Sequence, residues 1–106
     1  MAGFDDRKNT FEKKFAHDEA TKFKINARRN RLLGLWAAKQ MGLDGESAEA
    51  YAKLVVRADF DEPGEEDVFR KVWRDLQEKK VDVSEHRVRR QMAELLDTAR
   101  DQVTSE

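Results

Sequence analysis

Apolar positions recur along the chain in four helical stripes, with a short aromatic series ahead of them. From Lys22 to Met41 the run "LLGLWAAKQM" closes a first helix, with Gly42 as the left-handed residue beyond its end and Leu43 as the apolar residue that follows. Gly34 interrupts this helix where Ala would be favoured by roughly 1 kcal/mol, which suits close approach of another helix. Tyr51, Leu54, Val55 and Ala58 recur at steps of three and four and predict a second helix, from just after Asp44 or Gly45 to about Asp59. Glu62-Pro63-Gly64 ends it, because Pro63 biases Glu62 away from helical angles and Gly64 suits the φ > 0 position of a type II turn. Val68, Phe69, Val72, Trp73 and Leu76 line a third helix that begins within the acidic "EED", where carboxylates complement the helix dipole. Val88, Met92, Leu95, Leu96 and Ala99 line a fourth. It opens near Asp82 to Glu85, as a D-x-x-E capping box or with Ser84 as N-cap. The "VDV" at 81–83 has no strand to pair with.

The expectation is an all-α fold, a compact four-helix bundle over residues 21–106. Its core is expected around Trp36, Leu54, Phe69, Val72, Leu76, Met92 and Leu95. The first 20 residues stand outside this scheme as a flexible or marginally helical N-terminal extension. Within it Phe4, Phe11 and Phe15 fall in an arc of about 40° on a helix turning 100° per residue. No other large apolar residue lies between Phe4 and Ala20, and burying three rings does not offset the entropy of ordering about 15 residues. The segment is therefore expected to become ordered in a partner's groove, with the rings as anchors. The alternative is that the stripe folds back and caps the bundle.

Composition narrows the function. The chain has 106 residues, 41% charged and 39% hydrophobic, no cysteine, and a mean hydropathy of -0.90. It reads as one polar, soluble domain with no secretory leader or membrane span, hence cytoplasmic, and no thiolate chemistry. Net charge is -1, yet residues 20–43 hold six Lys or Arg and no acid, while 44–67 hold nine acids against Lys53 and Arg57. Basic and acidic helices facing one another would account for this mosaic. A phosphate-contacting ridge of Lys24, Arg28, Arg29 and Arg31 in the basic stretch 22–31 is the alternative, a nucleic-acid-binding helical module. A pI near 6.2 and the acidic 44–67 segment argue against it.

Enzyme signatures are absent: there is no phosphate loop, dinucleotide fingerprint, H-E-x-x-H or nucleophile elbow. His17 and His86 have no second ligand at metal spacing and read as polar helix-start or surface residues. No catalytic residue, cofactor or metal is assigned, and nothing in the sequence supports a nucleotide site between the helices.

Taken together, "FDDRK", "FEKKFAHDE", "ARRNRLLGLWAA", "ADFDEPGEEDVFRKVWRDL" and "VSEHRVRRQMAELL" resemble the alphaproteobacterial ATPase inhibitor zeta subunit family over nearly the whole chain. The resemblance implies a four-helix, non-enzymatic protein that binds the catalytic head of the F-type ATP synthase and blocks ATP hydrolysis. Its location would be the cytoplasmic face of the inner membrane, through the bound synthase. The family's inhibitory region maps onto Phe4 to Glu19, wedging between catalytic and noncatalytic subunits. Partner contacts then fall on Phe4, Asp5, Asp6, Arg7, Phe11, Lys13, Lys14 and Phe15, the charges setting orientation. Lys80 stands where relatives often have Gly after the third helix.

Overall fold

The computed structural model describes the backbone of residues 2–61 and 64–106 and the side chains of residues 18–59 and 64–106. It consists of four α-helices: α1 (Ala2–Gln40), α2 (Gly45–Asp61), α3 (Glu65–Glu78) and α4 (Glu85–Thr104). Helix α1 is the spine. It packs chiefly on α2 and α4, while α3 lies on α2 and touches α1 and α4 at its margins.

The first helix begins twenty residues earlier than its apolar stripe suggests. Periodicity marks only the part of a helix that is buried, and nothing between Ala2 and Lys22 forbids helix: there is no proline, and Gly3 lies at the very start. Local charge supports the continuation, as in the Glu19–Lys22 pair at 3.8 Å, one turn apart.

The end of α1 is the one anticipated. Gly42 has φ 80°, its N–H donates to the Lys39 carbonyl at 3.1 Å, and Leu43 N–H reaches back to the Ala38 carbonyl at 2.8 Å. This is a Schellman motif that satisfies two otherwise orphaned carbonyls. The same motif closes α3 without a glycine. Lys80 N–H donates to Gln77 at 2.9 Å and Val81 N–H to Leu76 at 3.0 Å, with Lys80 held at φ 55°. An L residue in this region is disfavoured by about 1–2 kcal/mol. Lys80→Gly should therefore raise stability by about 1 kcal/mol and Tm by about 4–8 °C, measured by thermal melting.

At the start of α4 the competition between caps is resolved for Ser84, whose hydroxyl accepts from Arg87 N–H at 3.0 Å. The turn before α3 differs from expectation. Gly64 adopts φ 153°, ψ 138° as N-cap of α3 instead of the φ near +80° of a type II turn, and its N–H donates to Asp59 Oδ1 at 3.3 Å. Glu62 and Pro63 lie outside the described residues.

The core is built from Leu33, Ala37 and Ala38 of α1, Tyr51 and Val55 of α2, Val68, Phe69, Val72 and Leu76 of α3, and Val88 and Met92 of α4. Trp36, Trp73, Val81, Val83 and Leu95 pack against it, partly buried. Leu54 is a correction: it is 52% exposed and not a core residue. The cause is the α1–α2 contact. A Cβ on Gly34 would stand 2.6 Å from Ala52 Cα, so the two backbones touch there, and α2 turns the small Ala52 inward and carries Leu54 out.

Ion pairs tie the helices together at their surfaces. Arg89 forks onto Glu66 at 2.7 and 3.1 Å, lies 3.9 Å above the Phe69 ring, and holds the Glu66 carboxyl below the usual range. Phe69 in turn stacks on Trp73 with centroids 6.1 Å apart.

Candidate functional site

Attention falls on the place where α1 leaves the bundle. Between residues 18 and 28 no side chain is buried; Arg29 and Asn30 are the first that are, at 3% and 0% exposure. At 1.5 Å per residue the helix from Ala2 to Arg29 covers roughly 40 Å. The side chains of residues 18–28 stand outside the core, which begins at Leu33.

The exit is ringed by polar contacts from all three other helices. Arg29 Nη1 pairs with Glu65 Oε1 of α3 at 3.0 Å, and its Nε donates to Asn30 Oδ1 at 2.7 Å. Arg28 donates to Gln102 at 2.9 Å and pairs with Glu106 at the end of α4. From the opposite side Arg31 Nη2 donates to both carboxylate oxygens of Glu49 on α2, at 3.0 Å each. A buried guanidinium needs its charge answered, and Glu65, itself mostly exposed, does so from the rim. These three ties, from Arg28, Arg29 and Arg31, fix where α1 departs. Beside them is a cavity of about 490 Å³ lined by Phe23, Arg29, Asn30, Val56, Asp59 and Leu96 among others.

Across the bundle, Tyr51 O–H donates to Asp75 at 2.8 Å, and Lys71 Nζ sits 3.0 Å from the same carboxylate. Burial first, and the Asp75 bond second, push the Tyr51 phenol well above its ordinary value, so it remains a neutral donor. This network is a structural brace between α2 and α3. Among the described residues no group of three or more His, Cys, Asp or Glu is placed to hold a metal, and no helix is long and apolar enough to cross a membrane.

The surfaces thus far described offer contacts and no assembled chemistry, on a spine that continues well past its bundle. The family profile of ATPase inhibitor subunit zeta matches residues 1–102. The chain belongs to that family. A solved structure, described as a solution NMR structure, is 46% identical, with a TM-score of 0.70, and the match covers 79% of this chain and 95% of that one. No match was found among curated proteins. An inhibitor subunit is a regulator that acts by binding, and for this zeta chain the partner class that follows is an ATPase.

The sequence-assigned contacts of this zeta chain, Phe4, Asp5, Asp6, Arg7, Phe11, Lys13, Lys14 and Phe15, have side chains outside the described residues, as does His17. The basic stretch can be placed, and Arg29 is not part of its exposed face. Arg29 is buried against Glu65 and Asn30, Arg28 turns to α4 and Arg31 to α2, leaving Lys24 exposed beside them. The phosphate-ridge reading is corrected in this respect: Lys24, Arg28 and Arg31 line one hollow, but Arg29 is withdrawn from it and Glu106 and Glu49 already engage Arg28 and Arg31. The ion-pair use of these arginines against acidic partners is what the fold adopts. Missed altogether by sequence reasoning was the Arg29–Asn30–Glu65 cluster. Glu65 stands 36 residues from Arg29, and a charge pattern treats Arg28, Arg29 and Arg31 alike.

Proposed function

We propose that this zeta-family chain is a non-enzymatic inhibitor of ATP hydrolysis by the F-type ATP synthase. The N-terminal part of α1, residues 1–20, enters an interface between catalytic and noncatalytic subunits of the head and blocks rotation. Phe4, Phe11 and Phe15 anchor it, while Asp5, Asp6, Arg7, Lys13 and Lys14 set its orientation. Residues 21–106 form the bundle that carries the inhibitory segment. Through the bound synthase the protein resides on the cytoplasmic side of the inner membrane.

The observation that carries this reading is that α1 starts at Ala2, yet its first buried side chain among the described residues is Arg29. A helix whose described side chains stay out of the core as far as Arg28 is suited to use the part ahead of them elsewhere, in the manner of a helix seated in a groove. The family match, which includes the N-terminal segment, supports the choice of partner. The bundle then holds the segment near its target and raises its effective concentration.

The test is the rate of ATP hydrolysis by the isolated catalytic head as the full chain is added. The rate falls for the wild type and holds for a Phe4→Ala/Phe11→Ala/Phe15→Ala variant. A wild-type chain that leaves the rate unchanged removes the reading.

A further inference from the structure

Two hollows of about 370 Å³ each lie side by side between α1 and α2, sharing Arg31 and Val56. Ala27, Ala52 and Val56 give them an apolar floor. Around this floor stand five cations, Lys24, Arg28, Arg31, Lys53 and Arg57, against two carboxylates, Glu49 and Glu106. The chain as a whole has a net charge of -1, so the positive excess here is local. Arg28 and Arg31 are engaged with Glu106 and Glu49. Lys24, Lys53 and Arg57 are exposed and have no ion-pair partner among the described residues.

We propose that this α1–α2 groove is a docking surface for an acidic, amphipathic protein segment, whose apolar side chains lie on Ala27, Ala52 and Val56 and whose carboxylates reach Lys24, Lys53 and Arg57. The groove already contains one such contact in miniature. Arg31 Nη2 holds both oxygens of the Glu49 carboxylate at 3.0 Å, next to the Ala52 and Val56 surface. From Lys24 to Arg31 the wall extends about 10 Å along α1, two helical turns, enough for a short helical or extended segment. Charge complementarity selects the occupant. A nucleic-acid backbone meets Glu49 and Glu106 within the site and has no use for an apolar floor. A lipid surface is flat where this site is concave.

The inference deepens the inhibitor reading by naming the chemistry of a contact that the bundle itself would make on the head. It rests on that reading only for this location. The experiment does not depend on it.

The full-length chain, labelled with nitrogen-15, is titrated with a short amphipathic peptide built of glutamate and leucine. Amide shifts are expected at Ala27, Ala52, Lys53, Val56 and Arg57, with affinity that weakens as salt is added. Lys53→Glu/Arg57→Glu should weaken binding by about tenfold or more, and the milder Lys53→Gln/Arg57→Gln variant by several-fold. The second pair keeps the test valid should charge reversal disturb folding. Equal binding of the peptide with glutamine in place of glutamate overturns the proposal, as do shifts confined to another face. Tighter binding at this groove by duplex DNA or by phosphatidylglycerol vesicles than by the acidic peptide overturns it as well.

Discussion

Gly34→Leu lowers the stability of the bundle by about 3 kcal/mol, the upper part of the range for overpacking a tight core, and Tm by about 12–24 °C. The side chain would meet backbone first: any Cβ at this position stands 2.6 Å from Ala52 Cα, 3.2 Å from Ala52 Cβ and 3.3 Å from Val55 Cγ2. Flexible side chains can swing aside, but Ala52 Cα moves only if α2 moves. Val55 is fully buried in the core that α2 shares with α3, so displacement of α2 also disturbs contacts remote from Gly34. Gly34→Ala isolates the effect. Helix propensity favours Ala by about 1 kcal/mol, so net destabilisation by this change means the packing penalty exceeds that gain. Ala52→Gly should rescue Gly34→Ala only in small part, because the closest atom is backbone and remains. Chemical denaturation of the three variants checks the set. A Gly34→Leu chain as stable as the wild type would show that α1 and α2 are not in backbone contact.

The second large effect concerns inhibition. Replacing Phe4, Phe11 and Phe15 together by Ala should raise the concentration needed for half-inhibition of ATP hydrolysis by on the order of 1,000-fold. A well-seated aromatic anchor contributes about 2 kcal/mol or more, each 1.4 kcal/mol is tenfold, and the three sum imperfectly. The bundle should be indifferent. Among the described residues its buried side chains start at Arg29, and each of these rings lies more than two turns of helix earlier in the sequence. Circular dichroism melts of the variant and wild type should therefore superimpose. Single variants rank the rings, and an unaltered half-inhibition value for the triple variant would locate the contact elsewhere.

How much of this could be read from sequence depended on which physical force each residue answers to. Gly42 was legible as a helix stop, because a C-terminal glycine followed by an apolar residue has one economical use, and the Schellman bonds at Gly42 and Leu43 are that use. The third and fourth helical stripes were legible since burial and period coincide: Val68, Phe69, Val72 and Leu76, then Val88, Met92 and Ala99, are all buried. Leu54 was misplaced for the opposite reason. Period alone allows either Ala52 or Leu54 to face inward, and the rotation of α2 is set by a contact with Gly34 that is long-range in sequence. The start of α1 was hidden because a helix that leaves its bundle has no core-facing stripe to display. Within the candidate site, the aromatic series and its charges were visible as residue types, but the root that anchors them was not. Arg29 owes its burial to Glu65 on another helix, and nothing adjacent to Arg29 signals that partner.

The claim on which the functional account depends is that one spine carries two separable parts, a bundle that folds by itself and a leading segment that inhibits. Deleting residues 1–19 tests it in a single preparation, by following thermal unfolding and inhibition of ATP hydrolysis by the catalytic head together. The account predicts a cooperative melt within a few degrees of the full chain and no inhibition at any concentration tried. A truncated chain that unfolds, or one that still inhibits, contradicts it.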